Sequence, residues 1–181
     1  VAASDATATL AGGCFWAMQS EFQKLKGVHQ VQAGYSGGSV PNPTYDDVCT
    51  GRTGHAESIE IKFDPKQISY AELVRIFLTD IDPTTLDRQG PDRGTQYRSA
   101  IFFHDPQQEA DAKKVIADLT ASKVYSAPIV TEVVPYKAFY AAEDYHQNYF
   151  ENNPNQPYCA SVVGPEVHRF MELNKAKLKE L

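Results

Sequence analysis

Ala6-Thr7-Ala8-Thr9-Leu10-Ala11-Gly12-Gly13-Cys14-Phe15-Trp16 reads as a short strand, two flexible residues, a thiol and the start of a helix. From Trp16 to Lys24 the spacing is helical, with Trp16, Phe22 and Leu25 falling broadly on one side. Cys14 is therefore expected at a helix N-terminus. Free backbone N–H groups and the positive end of the helix dipole favour a thiolate there, and the thiolate is the nucleophilic form. A lone cysteine is more often a buried structural residue. The glycines shift that balance, because they let other atoms approach the sulfur closely.

Outward from this unit the elements alternate without repeats. Val28 to Tyr35 alternates as a strand, and 36–54 is a long loop rich in Gly, Pro and Asn, of the kind that carries function. Ser58 to Phe63 alternates polar and apolar and ends at Asp64-Pro65. Ser69 followed by Glu72 is a capping-box pattern for a helix through about Thr79, with Leu73, Ile76 and Phe77 facing inward. After an irregular stretch over 82–96, Arg98 to Phe103 reads as a strand. Asp105-Pro106 then opens a helix to about Ala121, with Asp as N-cap and Pro at the first helical position. A strand over 129–134, a helix over 141–151, an irregular tail over 152–164 and a polar helix over 165–181 complete the reading. Strands separated by helices predict crossover connections in a mainly mixed sheet, an α/β sandwich.

At 181 residues, 42% of them hydrophobic, the chain suits one domain with a substantial core. The net charge is −6 and the pI near 5.3, and the only dense basic run ends the C-terminal helix, which argues against a nucleic-acid partner. No apolar stretch approaches the roughly 20 residues of a membrane span, and the N-terminus lacks the basic and apolar regions of a signal peptide. The expected compartment is the cytoplasm, with export open if a targeting segment preceded Val1. Three cysteines, Cys14, Cys49 and Cys159, are too few and too far apart for a disulfide framework or a four-ligand zinc site. Transient redox chemistry stays open.

Both long loops hold groups that could serve a nucleophilic thiol. The first offers the Tyr45 phenol and Glu57. At the start of an apolar strand, Glu57 could be desolvated enough to stay protonated, as a general acid near neutral pH requires. Taken alone it is more often a surface carboxylate at a strand end. The second loop adds Asp92 and a further phenol, Tyr97, although an Asp before Arg-Gly is usually a turn residue.

Six segments carry a resemblance. They are Gly12-Gly13-Cys14-Phe15-Trp16, Gly34-Tyr35-Ser36-Gly37-Gly38, Pro41-Asn42-Pro43-Thr44-Tyr45, Thr53-Gly54-His55-Ala56-Glu57, Gly94-Thr95-Gln96-Tyr97-Arg98-Ser99 and Ala142-Glu143-Asp144-Tyr145-His146-Gln147. In this order they resemble the A-type peptide methionine sulfoxide reductases. Ala17 and Gln19 depart from the Gly and Glu usual in that family, which bears on local helix packing. The resemblance implies an α+β fold, a two-layer sandwich with a ferredoxin-like core, long irregular loops and a C-terminal tail. It implies reduction of the S epimer of methionine sulfoxide, free or in proteins, without a metal or bound cofactor. Cys14 would attack the sulfur, Glu57 supply a proton, Tyr45 and Tyr97 hydrogen-bond the oxygen, and Asp92 organise water. Phe15 and Trp16 would form the pocket for the substrate methyl group. Attack leaves a sulfenic acid on Cys14, which condenses readily with a second thiol. By the same resemblance that thiol is Cys159, carried by a flexible tail, and the disulfide is reduced by thioredoxin. Cys49 is expected to be buried and inert, and the protein a monomer.

Other patterns imitate different proteins. Cys14 with a downstream His146 resembles the Cys–His pair of a papain-like hydrolase, but the short sequence before Cys14 has no glutamine to complete an oxyanion hole. Gly34-Tyr35-Ser36-Gly37-Gly38 matches a nucleophile elbow formally, yet Pro41 and Pro43 follow where a helix is needed. His55-Ala56-Glu57 lacks the Pro-Cys-x-x-Cys of zinc deaminases. Glu143 and His146 lack the partners of a carboxylate metal site and read better as an internally hydrogen-bonded pair. A peptide-binding module using only the aromatic pocket is a third class, one that would survive loss of the Cys14 thiol.

Overall fold

The structure, a computed structural model, describes residues 4–179. Its eight strands are β1 (Ala6–Ala11), β2 (Val28–Ser36), β3 (Ala56–Phe63), β4 (Arg88–Gln89), β5 (Asp92–Arg93), β6 (Ala100–Phe103), β7 (Glu132–Pro135) and β8 (Phe139–Ala141). The α-helices are α1 (Phe15–Phe22), α2 (Tyr45–Cys49), α3 (Tyr70–Asp80), α4 (Pro106–Ala121), α5 (Tyr149–Asn152) and α6 (Gly164–Leu173). Six strands form one sheet in the order β7-β6-β1-β3-β2-β8, and β4 and β5 form a small hairpin of their own. β1 lies antiparallel between β3 and β6, β2 is antiparallel to β3 and to β8, and the one parallel pair of the sheet is β6 with β7. The expected mixed sheet is thus mostly antiparallel, and the architecture is α+β. Helices α1 and α3 do connect parallel strands, but an antiparallel strand sits between the members of each such pair.

Register explains the core. Leu10 lies opposite Ile59 on one side and Ile101 on the other, and Ala33 continues the row. All four side chains are fully buried in one cluster with Met18 and Phe22 of α1, Phe77 of α3 and Leu119 of α4. One residue along, Thr9 stands opposite Glu60 and Phe102 on the reverse face. Two helix starts are set by the caps the sequence advertises: Ser69 Oγ accepts the Glu72 N–H, and Asp105 accepts the Gln108 N–H ahead of Pro106. Thr44 and Asp47 form a reciprocal capping box that puts the short helix α2 inside the expected loop.

The start of the last quarter of the chain departs most from the sequence reading. The helix expected over 141–151 is instead the edge strand β8, a 3-10 turn over Asp144–His146 and the single turn α5. Ala141 pairs with Gly34, and the Gln147 amide bonds the Ala33 N–H, the Ala33 carbonyl and the Ala142 carbonyl, extending the ladder with a side chain. Asn148, at φ +56°, then breaks any continuing helix. Gln19, one of the two family departures, bonds the Val31 carbonyl, the Gln147 side chain and the Asn148 N–H, so it ties α1 to this segment.

The tail expected to be irregular is ordered. Residues 157–173 are helical, with a wide π-type turn over Cys159–Val163 in which the Gly164 N–H reaches back five residues to the Cys159 carbonyl. The C-terminal helix ends at Leu173, and the last two residues of the expected span, 180 and 181, lie outside the described residues. Among the described residues no helix is long and apolar enough to cross a membrane.

Candidate active site

Cys14 is the N-cap of α1, with extended backbone, and its side chain is half-buried. The turn before it needs glycine at one position in particular. Gly13 has φ +81°, its N–H donates to the Tyr97 carbonyl at 3.2 Å, and a Cβ there would stand 2.9 Å from Gln89 Cβ. The turn thereby joins α1 to the loop that carries Asp92 and Tyr97.

Glu57 sits at the start of β3, 1% exposed. Its Oε1 accepts the Phe15 N–H at 3.2 Å, one residue from Cys14, while Oε2 is buried with no hydrogen-bond partner. Burial raises its carboxyl to about 8, against the Phe15 N–H, which favours the charged form, and the Asp92 charge adds to the rise. A carboxyl with one oxygen left bare in a dry site is most stable when that oxygen carries a proton.

The thiolate-favouring helix end is present but outweighed. Burial first, then the Glu57 charge, push the Cys14 thiol well above its usual range, and Asp92 acts in the same direction. The Trp16 and Ala17 N–H groups pull the other way. A proton on Glu57 removes the second-largest of these effects.

Tyr45 and Tyr97 lie within electrostatic reach of Glu57 and of each other, and burial ahead of that charge keeps both phenols protonated as donors. The Cys49 thiol lies within electrostatic reach of the Tyr45 hydroxyl. Cys49 is exposed, which corrects the expectation of a buried thiol: it occupies the last turn of α2, whose inward residue is Val48. Asp92 is half-buried and accepts the Tyr158 hydroxyl. Nothing in the sequence marks Tyr158 as this partner, although it directly precedes Cys159 in the tail.

Phe15 is buried, with its ring 5.7 Å from that of Tyr35 and 6.3 Å from that of Tyr45, so it backs the site rather than bounding it openly. Trp16 is half-buried. Its indole stacks on Tyr149 at 4.0 Å and meets Tyr158 edge-on, and its Nε1–H donates to His146 Nδ1 at 2.9 Å. The nitrogen that a Cys–His hydrolase would aim at the thiol is therefore occupied by tryptophan. Glu143, expected to hydrogen-bond internally with His146, instead accepts the Tyr35 hydroxyl and the Tyr45 N–H and so holds the start of α2, while the His146 side chain bonds Trp16.

Cys159 is fully buried in a cluster with Ala17, Val163 and Val167, against which Cys14 and Trp16 pack. The extra methyl of Ala17, the other family departure, lies in this contact. Cys14 and Cys159 are thus neighbours across one small apolar cluster, both as free thiols. A cavity of about 190 Å³ opens beside Cys14, lined also by Gly13, Asp92, Glu21, Asp80 and Glu166.

Comparison with known proteins gives this geometry a family. A family model described as peptide methionine sulfoxide reductase matches residues 6–179. The peptide methionine sulfoxide reductase MsrA of Polynucleobacter asymbioticus is 49% identical over 174 residues, covering 96% of this chain and 90% of the relative. The crystal structure of Mxr1 from Saccharomyces cerevisiae in reduced form superposes with a TM-score of 0.80 at 35% identity, over 86% of this chain and 90% of that one. Mxr1 in complex with Trx2 gives a TM-score of 0.56 at 26% identity, over 82% of this chain and 87% of that one. Matched in sequence and in backbone along nearly its whole length, and carrying a thiol and a buried carboxyl at the same helix start, the chain belongs to the peptide methionine sulfoxide reductase family.

Proposed function

We propose that this chain reduces the S epimer of methionine sulfoxide, free or within proteins, with Cys14 as nucleophile and Glu57 as acid. Cys14 Sγ attacks the sulfoxide sulfur as Glu57 gives its proton to the oxygen, which Tyr45 and Tyr97 hydrogen-bond, and the Cys14 thiol proton replaces it on Glu57. The oxygen passes to Cys14 as sulfenic acid and methionine leaves. Cys159 then attacks Cys14 Sγ, the hydroxyl departs as water, and the disulfide is reduced by a thioredoxin-type dithiol. The complex of Mxr1 with Trx2 supports that choice of reductant. Asp92, tied to Tyr158, orders water at the same site, and Trp16 bounds the pocket for the substrate methyl group, with Phe15 behind it.

The observation that carries this reading is Glu57: a buried carboxyl raised to about 8, anchored through one oxygen to the Phe15 N–H and unpartnered at the other. Sulfoxide sulfur is a poor electrophile until its oxygen is protonated, so the reaction needs such a donor beside the thiol. The run β1–α1–β2–β3–α3–β6, with its strands ordered β6-β1-β3-β2, supports a ferredoxin-like, two-layer core. The reading takes residues 1–181 as one domain acting as a monomer, since exposed large apolar side chains such as Leu86, Val124 and Met171 come from separate segments.

The test is a racemic methionine sulfoxide peptide with excess dithiothreitol, followed by chiral separation. Loss of the S epimer alone, abolished in Cys14→Ser, is expected; survival of both epimers with the wild-type protein would refute the reading. Cys159→Ser should keep a single turnover and lose thioredoxin-driven recycling.

A further inference from the structure

His146 takes no part in the steps above, yet its surroundings are specific. It is 1% exposed, and its ring centre lies 4.4 Å from that of Tyr45, 4.1 Å from Tyr145 and 5.3 Å from Phe15. Its Nδ1 lies 2.9 Å from Trp16 Nε1, and its Nε2 is buried without a partner. An indole N–H can only donate, so Nδ1 must present its lone pair, which puts the ring proton on Nε2. That buried N–H is left unpaired to keep Nδ1 free as an acceptor, and an orphan of this kind calls for a reason.

We propose that His146 is a positioning residue for substrate binding, whose unprotonated Nδ1 holds the Trp16 indole in place as the wall that contacts the substrate methyl group. The stack on Tyr149 fixes the plane of the indole, and the bond to His146 fixes its rotation within that plane. A second proton on the imidazole would face the indole N–H with another N–H and release the wall.

The groups around the ring agree in sign. Burial lowers His146 below its ordinary 6.5, and the Glu143 carboxylate, on the same segment, opposes that effect. α2 contributes Tyr45, α5 contributes Tyr149 and the same 3-10 turn contributes Tyr145; the two rings that α1 presents, Phe15 and Trp16, do not titrate. The neutral, accepting form is therefore the one held near neutral pH, and the wall loosens only on acidification.

Trp16 is the sole tryptophan of the chain, so its fluorescence reports this contact directly. In wild type, acidification should give one emission transition with its midpoint below 6.5. His146→Phe keeps the aromatic packing but removes the acceptor. It should red-shift the emission, increase acrylamide quenching and raise KM for methionine sulfoxide about fivefold with kcat within about twofold, the scale of one neutral hydrogen bond. In His146→Asn the amide oxygen replaces Nδ1, so KM and emission should return towards wild type while the acid transition disappears. Wild-type emission and KM in His146→Phe, or an acid transition that persists in His146→Asn, would overturn the proposal. The inference rests on Trp16 bounding the pocket, and Trp16→Phe separates the two. An unchanged KM in that variant refutes the pocket assignment and His146's part in binding, whatever the fluorescence of the His146 variants reports about the contact itself.

Discussion

Cys14 and Glu57 illustrate how one residue's environment sets another's chemistry. Each is driven towards its neutral form chiefly by burial, and the Glu57 charge raises Cys14 further. With Glu57 as the proposed acid, activity should therefore fall as pH rises past about 8, where the carboxyl loses its proton. Glu57→Gln keeps an acceptor for the Phe15 N–H but has no proton to give, so kcat should drop by about 10²- to 10³-fold and lose its alkaline limb. Stability should move the other way. A carboxyl raised from 4.5 to about 8 contributes stability that is fully present below 4.5 and lost as pH rises through about 8. Glu57→Gln escapes that loss, so at pH 9 it should resist urea better than wild type by on the order of a few kcal/mol, with little advantage at pH 5. Paired urea titrations at the two pH values check this. Equal stability at pH 9 would mean that Glu57 is not held protonated by the fold.

At the scale of elements, the turn between β1 and α1 depends on Gly13. Alanine there meets two obstacles, the left-handed φ of +81° and the Cβ of Gln89 at 2.9 Å. Gln89 cannot move freely, because its amide bonds both the N–H and the carbonyl of Asp82. Gly90 in the adjacent hairpin also has positive φ, +55°, but nothing lies within 4 Å of a Cβ built on it. Gly90→Ala should thus carry the backbone strain alone, about 1 kcal/mol. Gly13→Ala should lose more in urea unfolding and also lower kcat, because the Cys14 sulfur moves with the turn. Equal losses at the two glycines would show that Gln89 yields. These elements were readable because their signals are local: alternation in β1, β2 and β3, the Ser69 and Asp105 caps, and the two glycines before Cys14. The segment from Phe139 to Asn152 was not, because its structure comes from pairing with β2 and from the reach of Gln147 and Gln19, contacts between residues more than a hundred apart in sequence. The same limit applies to the site. Cys14, Glu57, Tyr45, Tyr97 and Asp92 stood out by residue type and motif, whereas the bonds of Trp16 to His146 and of Tyr158 to Asp92 exist only once distant segments meet.

For the whole molecule, the three thiols define how the reduced protein must move. Cys49 is exposed, Cys14 half-buried and Cys159 fully buried, its thiol pushed up by desolvation. The proposed resolving step needs the Cys159 sulfur to reach Cys14, and Cys159 sits in an ordered helical turn instead of a loose tail. The π-type turn offers the means. Its wide hydrogen bond from Gly164 to Cys159 departs from regular α-helical pairing, so local opening over 159–163 should cost less than unwinding a regular helix. In native, reduced protein a maleimide should therefore label Cys49 first and Cys159 last, at a rate set by that opening. After one equivalent of methionine sulfoxide, without added thiol, Cys14 and Cys159 should both be protected while Cys49 still labels, as peptide mass spectrometry would reveal. If Cys49 became protected and Cys159 stayed free, Cys49 at the edge of Tyr45 would be the resolving thiol and the helix would have no need to open.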